Sequence, residues 1–189
     1  KNTRIMELWD EIFDKFLDGK PVKRVIVTHM HPDHLGLAGW LCDKFDARLV
    51  MSRTDWIMGK LLSSDARDVP PQSVFDFYKE MDLPEEHFDI LRQQGFGNFA
   101  KGVYQMPDVY SRIRHGDQVQ LAGSDWVCME GLGHSLEHMC LYSEERGVMI
   151  AGDQVLPRIS PIIGVYPGEP RANPLGDYLE SLKTFKELP

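Results

Sequence analysis

The stretch Thr28-His29-Met30-His31-Pro32-Asp33-His34 places four metal-capable side chains within six positions, directly after the strand-like run Lys23-Arg24-Val25-Ile26-Val27. In an extended segment alternate residues share a side, so His29, His31 and Asp33 can converge while Met30 and Pro32 point away. His34 then opens a helix expected over Leu35 to Phe45, whose first turn aims it back at the same space. Three histidines and one aspartate at these fixed offsets arise by chance in roughly one such chain per thousand. Taken singly, Asp33 could be only the N-cap of the following helix, and any one histidine an ordinary polar loop residue. Taken together the four point to a metal site at a strand end.

Length and composition bound the rest. A chain of 189 residues fits one domain of ordinary size, or a large piece of a bigger one, and has ample length to bury a core. No apolar run approaches the roughly 18 residues that a membrane span needs, so no membrane partner is expected. No signal peptide is visible, and the chain opens on Lys1-Asn2-Thr3-Arg4 without a start methionine. The net charge of −8 argues against a broad nucleic-acid surface, because affinity for a phosphate backbone comes from clustered Lys and Arg. It leaves room for a small anionic substrate beside metal cations. Cys42, Cys128 and Cys140 are odd in number and sit in apolar contexts, so they read as reduced core residues, which suits the cytoplasm.

Hydrophobic periodicity predicts an α/β chain. Ile5, Leu8, Trp9, Ile12, Phe13 and Phe16 recur at helical spacing, so Thr3 to Leu17 is expected to be an amphipathic helix packed on a sheet. Strand 23 to 28, the histidine-rich loop, helix 35 to 45 and strand Ala47 to Ser52 make a β-loop-α-β unit, which implies parallel strands. From Thr54 to about Ser111 the pattern changes to short helices over 54 to 63, 72 to 81 and 85 to 94, the last with Asp82 as cap, and to no strand. The breaks fall at Pro70-Pro71, Pro84, Gly95-Phe96-Gly97 and Pro107. This insertion, 54–111, is expected over the site, although Trp56, Phe75, Phe77, Tyr78 and Phe88 are the kind of residue that fills a core.

After Gly116-Asp117 the period becomes two. Gln118 to Leu121 and Trp126 to Met129 should form a hairpin around Ala122-Gly123-Ser124-Asp125, and Met139 to Ser143 should pair with Val148 to Ala151. Pro157 to Pro174 is rich in Pro and Gly, and Leu175 to Leu188 reads as a final amphipathic helix.

Two further loops carry the same chemistry as the first. Gly131-Leu132-Gly133-His134-Ser135-Leu136-Glu137-His138 lies between two expected strands, where glycine lets the backbone approach a bound ion. Ala151-Gly152-Asp153 follows the apolar strand Val148-Met149-Ile150. In this order the three stretches resemble the HxHxDH, GHSxxH and Gly-Asp signatures of the metallo-β-lactamase superfamily, over about Lys23 to Leu188.

The resemblance implies an αββα sandwich with a helical insertion. It makes His29, His31 and His134 ligands of one metal and Asp33 and His34 ligands of a second, with Asp153 bridging them. His138 then supports a ligand rather than binding the ion. By their own positions, His87 on an expected helix and His115 before a turn read as surface residues. The family's second metal takes one more histidine, on a strand after the final helix, whereas no histidine follows His138 here. The first strands of the fold are also missing before the N-terminal helix. Residues 1–189 are therefore expected to be a single domain of this type, incomplete at both termini.

The expected activity is that of a hydrolase. Two Zn²⁺ ions are the expected cofactors in the complete protein, with iron or manganese as alternatives that the mixed His and carboxylate set also suits. Asp33 is the candidate catalytic carboxylate that orients the attacking water, and Arg158 a candidate grip on an anionic substrate group. The substrate is expected to be a small molecule bearing an ester, thioester, lactone, lactam or phosphoester. A homodimer is a possible assembly. Two other readings stay open: a mononuclear iron enzyme similar to the persulfide dioxygenases of the same fold, and a degenerate member that binds without catalysis.

Overall fold

The computed structural model describes residues 2–94 and 96–188; Gly95, within the expected Gly95-Phe96-Gly97 break, lies outside them. Asn2 caps α1 (Thr3–Phe16), its side chain accepting the Arg4 N–H at 3.0 Å. The chain then forms β1 (Arg24–Ile26), α2 (Pro32–Leu35), α3 (Ala38–Phe45) and β2 (Arg48–Met51). Four helices follow, α4 (Arg53–Ser64), α5 (Gln72–Glu80), α6 (Glu85–Gln94) and α7 (Asn98–Gly102). The two-residue β3 (Ser111–Arg112) comes next, then β4 (Gln118–Leu121), β5 (Ser124–Gly131), β6 (His138–Ser143), β7 (Val148–Ile150) and α8 (Pro174–Lys186).

The strands form two sheets. β1, β2 and β3 are parallel, in register Val25 to Leu49 and Val50 to Ser111, and β4 to β7 make an antiparallel meander. β2 shows how the layers share a core. Its Leu49 and Met51 turn to one side, into a cluster with Val27, just after β1, and with Leu35, Ala38, Cys42, Val103 and Met106. Val50 turns to the other and joins Ile113, just after β3, with Trp126, Cys128, Met139 and Leu141 on the antiparallel sheet. Alternation of side chains along a strand buried on both faces produces this split. Helices on two sheets give the expected α/β sandwich. Among the described residues no helix is long and apolar enough to cross a membrane.

Several expectations need correction. The helix over Leu35 to Phe45 is broken in two, because the Gly36 carbonyl, which a continuous helix would use internally, accepts the Tyr104 N–H at 2.7 Å instead. Asp82 does not cap α6; it takes φ +56° and donates its N–H to Lys79 O, closing α5. β3 was hidden in sequence because two residues carry no alternation to detect. α1 forms as expected but does not close onto a sheet. No residue of α1 is buried; it touches α3 through Phe13 on Phe45 (4.9 Å, edge to face) and Asp10 on Lys44, and Ile5 and Trp9 face Val25 to Val27 across a cleft of about 460 Å³. The hairpin forms around a shorter turn than expected, Ala122-Gly123, both at positive φ, as a two-residue primed turn requires.

Truncating Leu49, fully buried between α3 and the sheet, should lower the unfolding free energy by about 3 kcal/mol in chemical denaturation, the cost of an unfilled core cavity. A loss under about 1 kcal/mol would show that this layer is not packed as described.

Candidate metal centre

Three loops at the ends of β1, β5 and β7 meet at one place. The polypeptide after β1 runs beside β6, where the Met139 N–H donates to Thr28 O at 2.8 Å, and this brings the first histidine loop against the second. His29 Nε2 and His31 Nδ1 lie 3.2 and 3.0 Å from His134 Nε2. His34 Nε2 lies 3.2 Å from Asp153 Oδ1, and Asp153 Oδ2 is 3.6 Å from His134 Nε2. Potential donor atoms thus form two groups, His29 with His31 and His134, and His29 with His34 and Asp153, each within 4.8 Å.

The chemistry of the donors suits a cation. The Ile162 carbonyl can only accept, so at 2.9 Å it fixes a proton on His134 Nδ1 and leaves Nε2 as a lone pair aimed at His29 and His31. Thr28 Oγ1 bonds His29 Nδ1 at 3.0 Å and so turns His29 Nε2 inward. Burial, reinforced by the surrounding imidazoles, drives the His29 pKa far below its ordinary value; burial and the neighbouring His134 lower that of His31 as well. The rings are therefore neutral, as ligation demands. Ligand nitrogens around a tetrahedral zinc sit roughly 3.3 Å apart, close to the spacing of these three.

Asp33 stands outside both groups. Pro32 sits in the first turn of α2, so the chain is already helical there and the alternate-residue geometry that would bring Asp33 beside His31 no longer applies. Its side chain is 75% exposed, with one oxygen 3.5 Å from His34 Nε2. Arg158 is exposed and makes no ion pair among the described residues. His87 is exposed; His115, also exposed, accepts the Glu130 N–H at 3.2 Å.

His138 is fully buried, and both of its ring nitrogens are engaged. Nε2 accepts the Asp153 N–H at 3.2 Å, which leaves the proton on Nδ1, 3.7 Å from Cys140 Sγ. It holds the backbone of the aspartate loop. Gly152 makes that approach possible: at φ +51°, a Cβ there would lie 2.6 Å from His138 Nε2 and 2.9 Å from Thr28 Oγ1. Gln154 ties the same loop to its neighbours, donating to Leu132 O at 3.2 Å and Ser181 Oγ at 3.0 Å. The three cysteines are buried and free, and burial pushes the Cys140 thiol up to about 12.

Sequence reasoning missed Asp55. It is fully buried, Oδ2 accepting the Met30 N–H at 2.9 Å and Oδ1 the Glu137 N–H at 3.0 Å. Burial lifts its pKa above the ordinary range, against the pull of those hydrogen bonds. Ser52-Arg53-Thr54-Asp55 looks like an ordinary capping sequence, in which the acid reaches back to its own helix end.

The model of the metallo-beta-lactamase superfamily matches residues 2–189. The chain belongs to that superfamily. A beta-lactamase domain protein of Burkholderia ambifaria is 40% identical and superposes with a TM-score of 0.81, over 96% of this chain and 51% of that one. The metallo-beta-lactamase family protein TTHA1429 of Thermus thermophilus is 28% identical, with a TM-score of 0.67 over 88% of this chain and 52% of that one. The probable metallo-hydrolase YqjP of Bacillus subtilis (strain 168) is 29% identical over 174 residues, 88% of this chain and 51% of that protein. The metallo-beta-lactamase-type chain thus spans about half the length of these relatives.

Histidines buried in neutral form make stability depend on pH. His138 falls from 6.5 to about 3 on folding, because burial first and the other imidazoles second penalise its charge. Between those values the unfolded chain binds a proton that the folded one refuses, so stability rises with pH, by up to about 1.4 kcal/mol per unit for one such group. Urea unfolding of the metal-free protein should show stability falling as pH drops below 6.5. A flat profile would mean that these rings are not buried together.

Proposed function

We propose that this chain carries the catalytic centre of a metal-dependent hydrolase that cleaves an ester, thioester, lactone, lactam or phosphoester of a small molecule. The observation that supports it most is the convergence of three imidazole nitrogens, His29, His31 and His134, beside the His34 and Asp153 pair. A zinc ion held there would lower the pKa of bound water towards 7 and polarise the scissile group. His29 is the buried anchor of the set, and His134, fixed through Ile162 O, sets its direction.

His29 stands in both groups, yet one imidazole nitrogen holds one ion. With His29 in the three-histidine group, His34 and Asp153, with Asp33 nearby, would be left to hold a second ion. Asp153 spans the two, one oxygen towards His34 and the other towards His134. Asp33, exposed beside His34, is the carboxylate free to orient an attacking water and take its proton.

Metal analysis of protein purified without chelators, paired with turnover on ester, thioester and phosphoester panels, tests this reading. The expected result is one tightly held zinc and measurable hydrolysis. Both should be lost in His134→Ala, by more than the roughly 10–100-fold that removal of an outer hydrogen-bond partner costs. Iron with oxygen uptake would replace the hydrolase by an oxidative enzyme, and bound metal without turnover would favour a binding module. No metal would sink the catalytic reading.

A further inference from the structure

We propose that Asp55 is a positioning residue of the metal centre, one carboxylate that clasps the two histidine loops together; the inference rests on the metal reading above. Met30, whose N–H it accepts, lies between His29 and His31, and Glu137, whose N–H it also accepts, lies between His134 and His138. The clasp runs both ways. The Glu137 carboxylate returns to the start of α4, accepting the Thr54 N–H at 2.6 Å, and takes the Arg112 guanidinium on β3 at 3.4 Å. The first turn of α4 is thereby bonded to both ligand loops and, through Arg112, to the sheet edge beside them.

A carboxylate buried completely and, among the described residues, without a basic partner is costly, so its presence needs a reason. Two backbone N–H groups from loops far apart in sequence supply it, since each needs an acceptor and neither has a strand neighbour to provide one. Few side chains can serve both. An asparagine of the same shape offers one acceptor and turns an NH₂ group towards the second N–H, and a leucine offers none. The clasp sets the spacing of His29 and His31 relative to His134 before any ion arrives. α4 is also the first helix of the segment between β2 and β3, so whatever shifts that segment shifts the ligand loops with it.

The test compares zinc(II) affinity, by competition with a chromophoric chelator, in wild-type protein, Asp55→Asn and Asp108→Asn. Asp108 is an exposed carboxylate tied to α4 through Lys60 at 2.7 Å and bonded to neither ligand loop among the described residues. Asp55→Asn should bind zinc about 10–100-fold more weakly, as loss of an outer partner of a ligand does, while Asp108→Asn stays within about threefold of wild type. The cobalt(II) absorption spectrum of Asp55→Asn should also change, a signature that a purely structural role would not move. Unaltered affinity and spectrum in a folded Asp55→Asn protein would overturn the proposal.

Hydrogen exchange on unmutated, metal-free protein gives a second reading that does not depend on the variant folding. The Met30 and Glu137 amides should be protected without zinc; exchange as fast as an exposed amide would overturn the clasp. If wild-type protein binds no zinc, the metal reading fails by itself, and amide protection decides whether the clasp exists.

Discussion

Burying several imidazoles in contact with one another is the constraint on which the rest of this structure turns. His29, His31 and His138 give up water, and the surrounding imidazoles add to the penalty on their charge, so these rings are held neutral. Outer nitrogens are satisfied ring by ring. Ile162 O takes His134, Thr28 takes His29, and the Asp153 N–H with Cys140 takes His138. What remains is a set of lone pairs facing one another across about 3 Å, repulsive unless a cation or shared proton lies between them.

The fold exists to hold that arrangement still. Parallel β1 and β2 end beside the antiparallel meander, so loops from three strands open at one place. Strand ends alone would leave those loops free to drift. Asp55, Glu137, Gln154 and His138 prevent it by tying loop to loop through backbone groups, and Gly152 is kept free of a side chain so that His138 can come close. Rigidity of this kind is what a metal site needs, because a ligand displaced by a fraction of an ångström is a weak ligand.

Much of this is legible in the sequence, and the boundary has a physical origin. The histidines and Asp153 announce themselves because metal chemistry uses few residue types at fixed offsets, and strand order follows from period-two runs separated by turns. Asp33 is different: its residue type is plain, but the helix begins at Pro32, three residues before the expected start at Leu35, and the Asp33 carboxylate is turned outward. Gly36 breaks the next helix through a bond to Tyr104, 68 positions away, and Asp55 works through Met30 and Glu137, 25 and 82 positions away. Local pattern carries no trace of partners that distant. The apolar stripe of α1 shows the same limit from the other side, since amphipathic spacing states that a face is apolar and not what it meets.

The central claim is that these residues share a cation, and locating that cation is its most direct test. A crystal of the protein grown with zinc and measured at the zinc absorption edge should show its strongest anomalous peak within coordination distance of His29, His31 and His134, with any second, weaker peak between His34 and Asp153. A strongest peak elsewhere, or none at all with the three imidazoles in place, would contradict the account.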